Sequence, residues 1–237
     1  DIAMDLKTIT GVDVGYTEFL SALVANNDEE VKIFREEMIR MHQVGGKELL
    51  YIEKDQLGEL YRGINPDFPG ALLWPAWTIE PYKYTLGLAQ AAEKLAGAVI
   101  KTGTVTGFGT ENGRVNCVKL ASGAEIPSDC VIITMGPWSG HGASYLDNRI
   151  PMGPILEQCI RLEYDKPLSK NMILNGLAGF IPKPEGDYIF GISSQSDEAF
   201  SNADDPVRLD PETKFELMDE LLKIYPDLGD AKIVEHR

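Results

Sequence analysis

The sequence predicts a mixed fold in which an α/β part is followed by an α+β part built on an antiparallel sheet. Two segments repeat apolar residues at helical spacing, and a strand-rich segment with two turn signals leads into an unbroken apolar run. Beyond residue 150, several strand-like segments alternate with turn residues. The 237 residues, 43% of them hydrophobic, are enough to bury the core of one large domain or two modest ones.

The first predicted helix covers residues 27–44. Asn27 and Glu30 form an N-terminal capping pair, and Gly45-Gly46 ends the pattern. One face of this helix carries the apolar residues Val31, Phe34, Met38 and Met41. The helix is therefore expected to pack against the rest of the protein rather than to carry chemistry.

Two further helices are predicted, at residues 81–96 and 212–224. The first begins with Pro81, which suits a first helical turn, and its alanines permit close packing against a sheet. Its apolar positions are Leu86, Ala89 and Leu95. The second helix is expected to bury a face made of Phe215, Met218, Leu221 and Leu222.

Between these helices the hydrophobic period changes to that of strands. Residues 98–110 and 114–120 are separated by the turn Glu111-Asn112-Gly113, and a second turn, Ala121-Ser122-Gly123, follows. This order predicts an antiparallel meander. The stretch CVIITMGPWSG, residues 130–140, comes next, and its run Val131-Ile132-Ile133 has no polar alternation. Such a run is typical of a central strand that is covered on both faces.

Gly136 ends that predicted strand. A glycine lets a ligand approach the backbone without meeting a side chain, and ligands of open α/β sheets gather at the carboxyl ends of strands. The alternative is that Gly136-Pro137 only makes a turn and that Trp138 fills the core.

The C-terminal part contains three strand-like segments, at residues 154–164, 171–182 and 187–194. Turn residues separate them, so they predict an antiparallel sheet. An acidic loop over residues 194–211 then leads into the last helix.

The formal net charge of -15 excludes some classes of partner. The chain has no basic stripe of the kind that nucleic-acid binding requires. Its apolar runs are also far shorter than the roughly 20 residues that span a bilayer, so no transmembrane segment is expected.

Cysteine and histidine usage indicates neither a metal site nor a catalytic triad. Cys117, Cys130 and Cys159 are widely spaced and are expected to be free residues buried in strands, which favours a reducing compartment and a cytoplasmic location. His42 lies in a helical pattern, His141 in a Gly-rich loop, and the third histidine next to the last residue. These positions give no metal-ligand spacing.

The order of several features resembles the D-amino-acid oxidase, glycine oxidase and sarcosine oxidase family of FAD-dependent oxidoreductases. The resemblance covers residues 46–237 and rests on order and spacing rather than on one motif. Residues 151–156 are similar to the strand that returns to the family's substrate domain, and Lys183 stands where an Arg is common. The other matching features are an extended lead-in over 70–81 that ends in Glu80-Pro81, then Gly97-Ala98, Val105 in the meander, and Gly136-Pro137-Trp138 at its close.

This resemblance implies a partial FAD-binding, Rossmann-like domain and an antiparallel-sheet substrate domain. Residues 1–80 would form a helical lead-in and the start of the substrate domain, 81–149 part of the FAD-binding domain with the meander, and 150–237 the substrate domain. The resemblance also implies cofactor contacts. Val105 would meet the adenine through its backbone. Thr134, Met135 and Gly136 would lie near the diphosphate and ribitol, with Trp138 packed beside them.

The family further implies an enzyme that oxidises a small amine or amino acid by hydride transfer to FAD, with oxygen or a quinone as the electron acceptor. Arg161 and Tyr188 are the residues expected to face a substrate carboxylate. Alternatively, Arg161 is solvated and Tyr188 is an ordinary strand aromatic. No catalytic acid or base is predicted, because the flavin carries the difficult step.

Two departures from the family pattern lead to a second hypothesis. A Gly-x-Gly-x-x-Gly turn does not occur before Gly46, and the chain stops at IVEHR, where family members continue into Gly-(Leu/Phe)-Arg-Pro. The expectation is an internal fragment that is inactive and binds FAD weakly by itself. The second hypothesis is a non-catalytic α+β binding or scaffold protein that has lost the cofactor site.

Overall fold

A computed structural model describes residues 2–151, 156–166, 168–176, 178–183, 186–192 and 209–237. The described chain divides into two compact units. The sheet unit comprises residues 2–91, 156–192 and 209–237, and the meander unit comprises residues 92–151. The predicted domain boundaries after residues 80 and 149 stay a prediction.

Helices and strands alternate in the first part of the described chain, and strands follow one another in runs in the second part, which confirms the predicted mixed fold. The helices are α1 (Ile2–Thr10), α2 (Asp28–Gln43), α3 (Lys54–Leu60), α4 (Pro81–Ala96), α5 (Ser139–Ser144) and α6 (Thr213–Ile224). The strands are β1 (Thr17–Ala25), β2 (Leu50–Glu53), β3 (Gly70–Thr78), β4 (Val105–Glu111), β5 (Arg114–Leu120), β6 (Glu125–Pro127), β7 (Glu157–Glu163), β8 (Met172–Asn175), β9 (Ala178–Ile181), β10 (Asp187–Ile192) and β11 (Lys232–His236). No helix in the described ranges is long and apolar enough to cross a membrane.

The sheet unit is built on an eight-stranded sheet with the order β11-β7-β10-β9-β8-β1-β3-β2. Its pairs are antiparallel except that of β1 with β8, which is parallel. The main core lies on one face of this sheet, where α3 contributes Leu57 and α6 contributes Leu217 and Leu221. A smaller cluster holds Leu6 of α1, Val14 and Ala91 of α4 together.

The sequence signals for where the helices begin and end were accurate. The Asn27 side chain accepts hydrogen bonds from the backbone N–H groups of Glu29 and Glu30, so α2 begins where the capping pair predicts. Helix α4 has the predicted bounds but not the predicted face. Gly87 and Ala91 are its buried residues, while Leu95 is 72% exposed. Because Gly87 has no side chain, α4 approaches Leu6 of α1 rather than a sheet.

Helix α6 buries most of the predicted face, because Met218, Leu221 and Leu222 all pack into the core, but the helix is rotated from the predicted orientation. Leu221 is buried as expected, but Phe215 is 54% exposed, and Leu217 and Ile224 take the inner positions. The spacing of Leu217, Leu221 and Ile224 is a regular helical stripe that faces the sheet.

The C-terminal strand prediction needs one change. The predicted segment 171–182 forms a hairpin of β8 and β9, because the chain turns at Gly176, whose φ is 58°. The loop over 194–211 and the return strand over 151–156 lie almost entirely outside the described residues.

Strand β11 joins the edge of the sheet with a register shift. Ile233 pairs with Leu162 and Glu235 with Arg161, so Val234 is the extra residue of a β-bulge. Beyond the bulge, the backbone of Arg237 exchanges hydrogen bonds of 2.7 and 2.9 Å with Cys159.

The meander unit confirms the predicted antiparallel order β4-β5-β6. Asn112 and Gly113 have φ values of 53° and 75°, which is the left-handed pair that a tight type I′ hairpin requires.

The predicted central strand at residues 131–135 is wrong. Residues 130–135 have no regular structure, Ile132 is 81% exposed, and Cys130 is exposed rather than buried. A strand exists only where a neighbour completes its backbone hydrogen bonds, and the three strands of the meander do not pair with this run. His141, predicted in a loop, lies in α5.

The inner face of α6 can be tested by two substitutions on that helix. Leu221→Ala is expected to lower the free energy of unfolding by about 2–5 kcal/mol, because it leaves a cavity in a fully buried site. Phe215→Ala should change it by less than about 1 kcal/mol, because that ring is largely exposed. Urea denaturation of both variants measures the difference, and equal losses would contradict the assigned face.

Candidate functional site

The segment of the meander unit that contains Thr134, Met135, Gly136 and Trp138 forms one tight turn. Residues Gly136–Trp138 make a single 3₁₀ turn that runs directly into α5. The Trp138 N–H donates to the Met135 carbonyl at 3.1 Å, and the Ser139 hydroxyl donates to the Gly136 carbonyl at 2.8 Å. The segment is therefore fixed by its own hydrogen bonds.

Gly136 combines a backbone conformation that favours glycine with open space beside it. Its φ of 55° lies in the left-handed region, which disfavours other residues. A Cβ atom at this position would meet nothing within 4 Å, so open space lies above the backbone. The neighbouring apolar side chains of Met135 and Trp138 are 41% and 38% exposed. The predicted turn is present, and Trp138 does not fill the core.

Val105 belongs to the same unit as this turn. It is the first residue of β4, and its carbonyl oxygen accepts a hydrogen bond of 3.2 Å from the hydroxyl of Tyr145, the residue that follows α5. The structure therefore brings all five predicted cofactor-contacting residues into one compact unit.

A cavity of about 900 Å³ lies in the sheet unit, at the end of the sheet where β7 ends and β10 begins. Its wall includes apolar residues, among them Phe19, Leu168 and Val234. Its charged residues are Arg161, Glu163, Lys166, Lys170, Lys183 and Asp187. Four of these six are basic, and two of the four, Arg161 and Lys183, form ion pairs with Glu235 and Glu80.

Arg161 is held firmly at the wall of this cavity. Its Nε atom donates to Glu235 at 3.0 Å, and its side chain is 32% exposed. A Cβ atom on Gly186 would lie only 3.1 Å from the Cδ atom of Arg161, so the glycine makes room for the Arg side chain. The guanidinium is thus preorganised rather than freely solvated.

Tyr188 has a different environment, although it pairs directly with Arg161 across β7 and β10. The ring is 5% exposed, and the guanidinium of Arg237 lies 4.8 Å from its centroid. Tyr188 is not among the residues that line the cavity. The structure therefore places the two predicted substrate residues side by side but brings only Arg161 to the cavity wall.

Sequence reasoning missed a polar network at the same wall. The Lys183 ammonium donates to Glu80 at 2.8 Å and to the Ile79 carbonyl at 3.3 Å, and its backbone N–H donates to Asp187 at 3.2 Å. The Tyr164 hydroxyl donates to the other Asp187 oxygen. Burial, together with the adjacent Asp187 carboxylate, raises the pKa of the Tyr164 phenol, so it stays a donor. Lys183 and Glu80 each had a place in the family pattern, but nothing in the sequence indicated that they pair.

Comparison with known proteins gives the class of this protein. The sequence matches the family model DAO, described as FAD dependent oxidoreductase, over residues 2–237. The chain therefore belongs to the DAO family of FAD-dependent oxidoreductases.

Individual relatives agree with this assignment. Glycine oxidase from Pseudomonas putida is 26% identical over 132 residues, which cover 56% of this chain and 34% of that protein. The structure of glycine oxidase from Bacillus cereus superimposes with a TM-score of 0.82 at 22% identity, covering 99% of this chain and 64% of that one. Glycine oxidase from Geobacillus kaustophilus gives a TM-score of 0.86 at 18% identity, covering 99% and 62%. The chain thus spans less than two thirds of the length of each of these relatives.

The Lys183–Glu80 ion pair is expected to stabilise the sheet unit measurably. The two side chains are 13% and 24% exposed, so Lys183→Met removes the cation beside a largely buried carboxylate and should lower the free energy of unfolding by about 2 kcal/mol. The double variant Lys183→Met/Glu80→Gln should recover about half of that loss, because it also removes the negative charge that Lys183 balanced.

Lys7→Met is the matched control for this pair. The Lys7 Nζ atom lies at a similar distance, 2.7 Å, from a carboxylate oxygen of Asp13, but the two side chains are 65% and 63% exposed. The loss in free energy of unfolding should therefore stay below about 1 kcal/mol. Urea denaturation measures all three variants. A Lys183→Met loss no larger than that of Lys7→Met would contradict a structural role for the buried pair.

Proposed function

We propose that the full-length protein oxidises a small amine or amino acid at the carbon next to nitrogen, with FAD as the hydride acceptor. The observation that carries this proposal is the match to the FAD dependent oxidoreductase family over residues 2–237. The similarity to the Pseudomonas putida glycine oxidase supports a small amino acid as the substrate. Either oxygen or a quinone would then reoxidise the flavin.

The cofactor contacts proposed for this chain are Val105, Thr134, Met135, Gly136 and Trp138. Two observations fit a flavin dinucleotide here: the space above Gly136 is open, and Met135 and Trp138 expose apolar surface beside it. Residues 134–138 contain no basic side chain, so this turn can offer a phosphate only neutral donors, namely backbone N–H groups and the Thr134 and Trp138 side chains. When bound, FAD supplies the hydride-accepting ring system.

The substrate contact that the structure supports best is Arg161. A guanidinium binds a carboxylate through two parallel hydrogen bonds, and that geometry suits an amino acid better than a simple amine. The contacts of Arg161 with Glu235 and Gly186 hold it at the cavity wall before any substrate arrives. For Tyr188 we propose a structural role, in which its ring packs against the guanidinium of Arg237.

We also propose a reducing compartment, such as the cytoplasm. Cys117, Cys130 and Cys159 are all free thiols, and Cys130 is exposed. An exposed free thiol persists where disulfides are kept reduced.

The proposed reaction predicts a yellow full-length protein whose flavin absorbance bleaches when substrate is added without an electron acceptor. The measurement is visible absorption under anaerobic conditions with glycine, sarcosine and D-amino acids. A full-length preparation that never holds FAD would reject the enzyme and favour a non-catalytic scaffold.

In a steady-state assay with an electron acceptor present, Arg161→Met is expected to raise the KM for carboxylate-bearing substrates by about 10- to 100-fold, because a charge-assisted hydrogen bond pair is lost. The kcat should change little, and amines without a carboxylate should be unaffected. Arg62→Met, at an exposed position of the same unit, is the control. An unchanged KM in Arg161→Met would remove this residue from the substrate site.

The cofactor contact at Gly136 has a closely matched control in Gly123. Both glycines have positive φ, at 55° and 84°, and a Cβ atom at either would meet nothing within 4 Å. Each Ala variant should therefore lose about 1 kcal/mol of stability from backbone strain. Only Gly136→Ala should also weaken FAD binding, by about tenfold or more, because its methyl group enters the space left for the cofactor. Equal FAD affinity in the two variants, measured by flavin fluorescence, would support the simple turn instead.

A further inference from the structure

The proposed cofactor contacts fall into two pieces that are distant in sequence: Val105 at the start of β4, and the turn over residues 134–138. One side chain connects them. Tyr145 follows α5, and α5 follows the turn directly. Its hydroxyl reaches back to the Val105 carbonyl at 3.2 Å.

The Tyr145 ring is also packed on the strand that it bonds. Its centroid lies 5.9 Å from that of Phe108, at an interplanar angle of 78°, which is an edge-to-face contact. Phe108 belongs to β4, as does Val105. Tyr145 therefore fixes the end of α5 to β4 by both an apolar contact and a hydrogen bond.

The hydrogen-bond partners define the direction of each bond. The Val105 carbonyl can only accept, so the Tyr145 hydroxyl donates to it. The Nε2 atom of His141 lies 3.3 Å from the same hydroxyl, whose only proton is then engaged. His141 must therefore donate, which requires a proton on Nε2. The His141 ring, 5.4 Å away at 69°, completes the packing.

We propose that Tyr145 is a positioning residue that aligns the Val105 backbone for the adenine half of FAD. The proposal rests on the proposed function, because it takes Val105 as the adenine contact. A carbonyl oxygen has two lone pairs, so the bond from Tyr145 leaves a place for a second donor such as the adenine amino group. The role assigned to Tyr145 is thus to orient this backbone while remaining outside the contact with FAD.

The test compares Tyr145→Phe with the wild-type full-length protein. This substitution keeps the ring that packs on Phe108 and removes only the hydroxyl. The FAD dissociation constant should rise about three- to tenfold, as expected for one lost hydrogen bond, and the inhibition constant of ADP as a competitor should rise by the same factor. The visible spectrum and reduction potential of bound flavin should stay unchanged, because the substitution affects the contact with the adenine and not the flavin ring. Tyr82→Phe, on a side chain that is 79% exposed, is the control and should match wild type.

Each contrary result has a definite meaning. An unchanged FAD dissociation constant in Tyr145→Phe rejects the positioning role and leaves the proposed function standing. A weaker FAD complex with a shifted flavin spectrum or potential also rejects it, because the hydroxyl would then support the whole cofactor site. Absence of FAD binding by the wild-type protein rejects the proposed function, and the inference with it.

Discussion

The short parallel pairing of β1 with β8 is the constraint on which the sheet unit depends. It matches Ser21, Ala22 and Leu23 with Met172, Ile173 and Leu174, and it joins the strands before residue 80 to those after residue 156. Parallel strands cannot be linked by a tight turn, so this pairing requires long-range folding. The core then forms on one face, where Ala22 and Ile173 are fully buried. The cavity at Arg161 lies at one end of the same sheet.

Features with local causes could be predicted from the sequence. The cap at Asn27, the bounds of α4 and the hairpin at Asn112-Gly113 each depend on a few neighbouring residues. The remaining features depend on pairing between strands that are distant in sequence. Strand β3 was expected only as an extended lead-in, and its Pro75 argues against a strand with a neighbour on each side. Strand β2 pairs with β3 only as far as Leu73. At Pro75, β3 therefore has a neighbour only on the side of β1, and proline is tolerated there as it is in an edge strand.

The same distinction applies to the two candidate sites. A run such as Val131 to Ile133 is apolar enough for a buried strand, but apolarity does not supply a hydrogen-bonded neighbour, and the run is irregular here. Family order predicted the turn at Gly136, which is present, and pointed to Val105 as a cofactor contact, which stays a prediction. It gave no hint of Tyr145 or of Lys183 with Glu80, because those contacts join residues that are distant in sequence.

The bulge at Val234 absorbs one extra residue of β11 without disturbing the pairing that follows it. Beyond the bulge, Glu235 and Arg237 lie on one face of the strand and His236 on the other. Glu235 thereby meets Arg161, His236 reaches Gln158 at 2.8 Å, and Arg237 covers Tyr188. Deleting Val234 would convert the bulge into a regular ladder and leave these three partners matched. The edge of this sheet can therefore hold one residue more or less in β11 without changing which side chains meet β7.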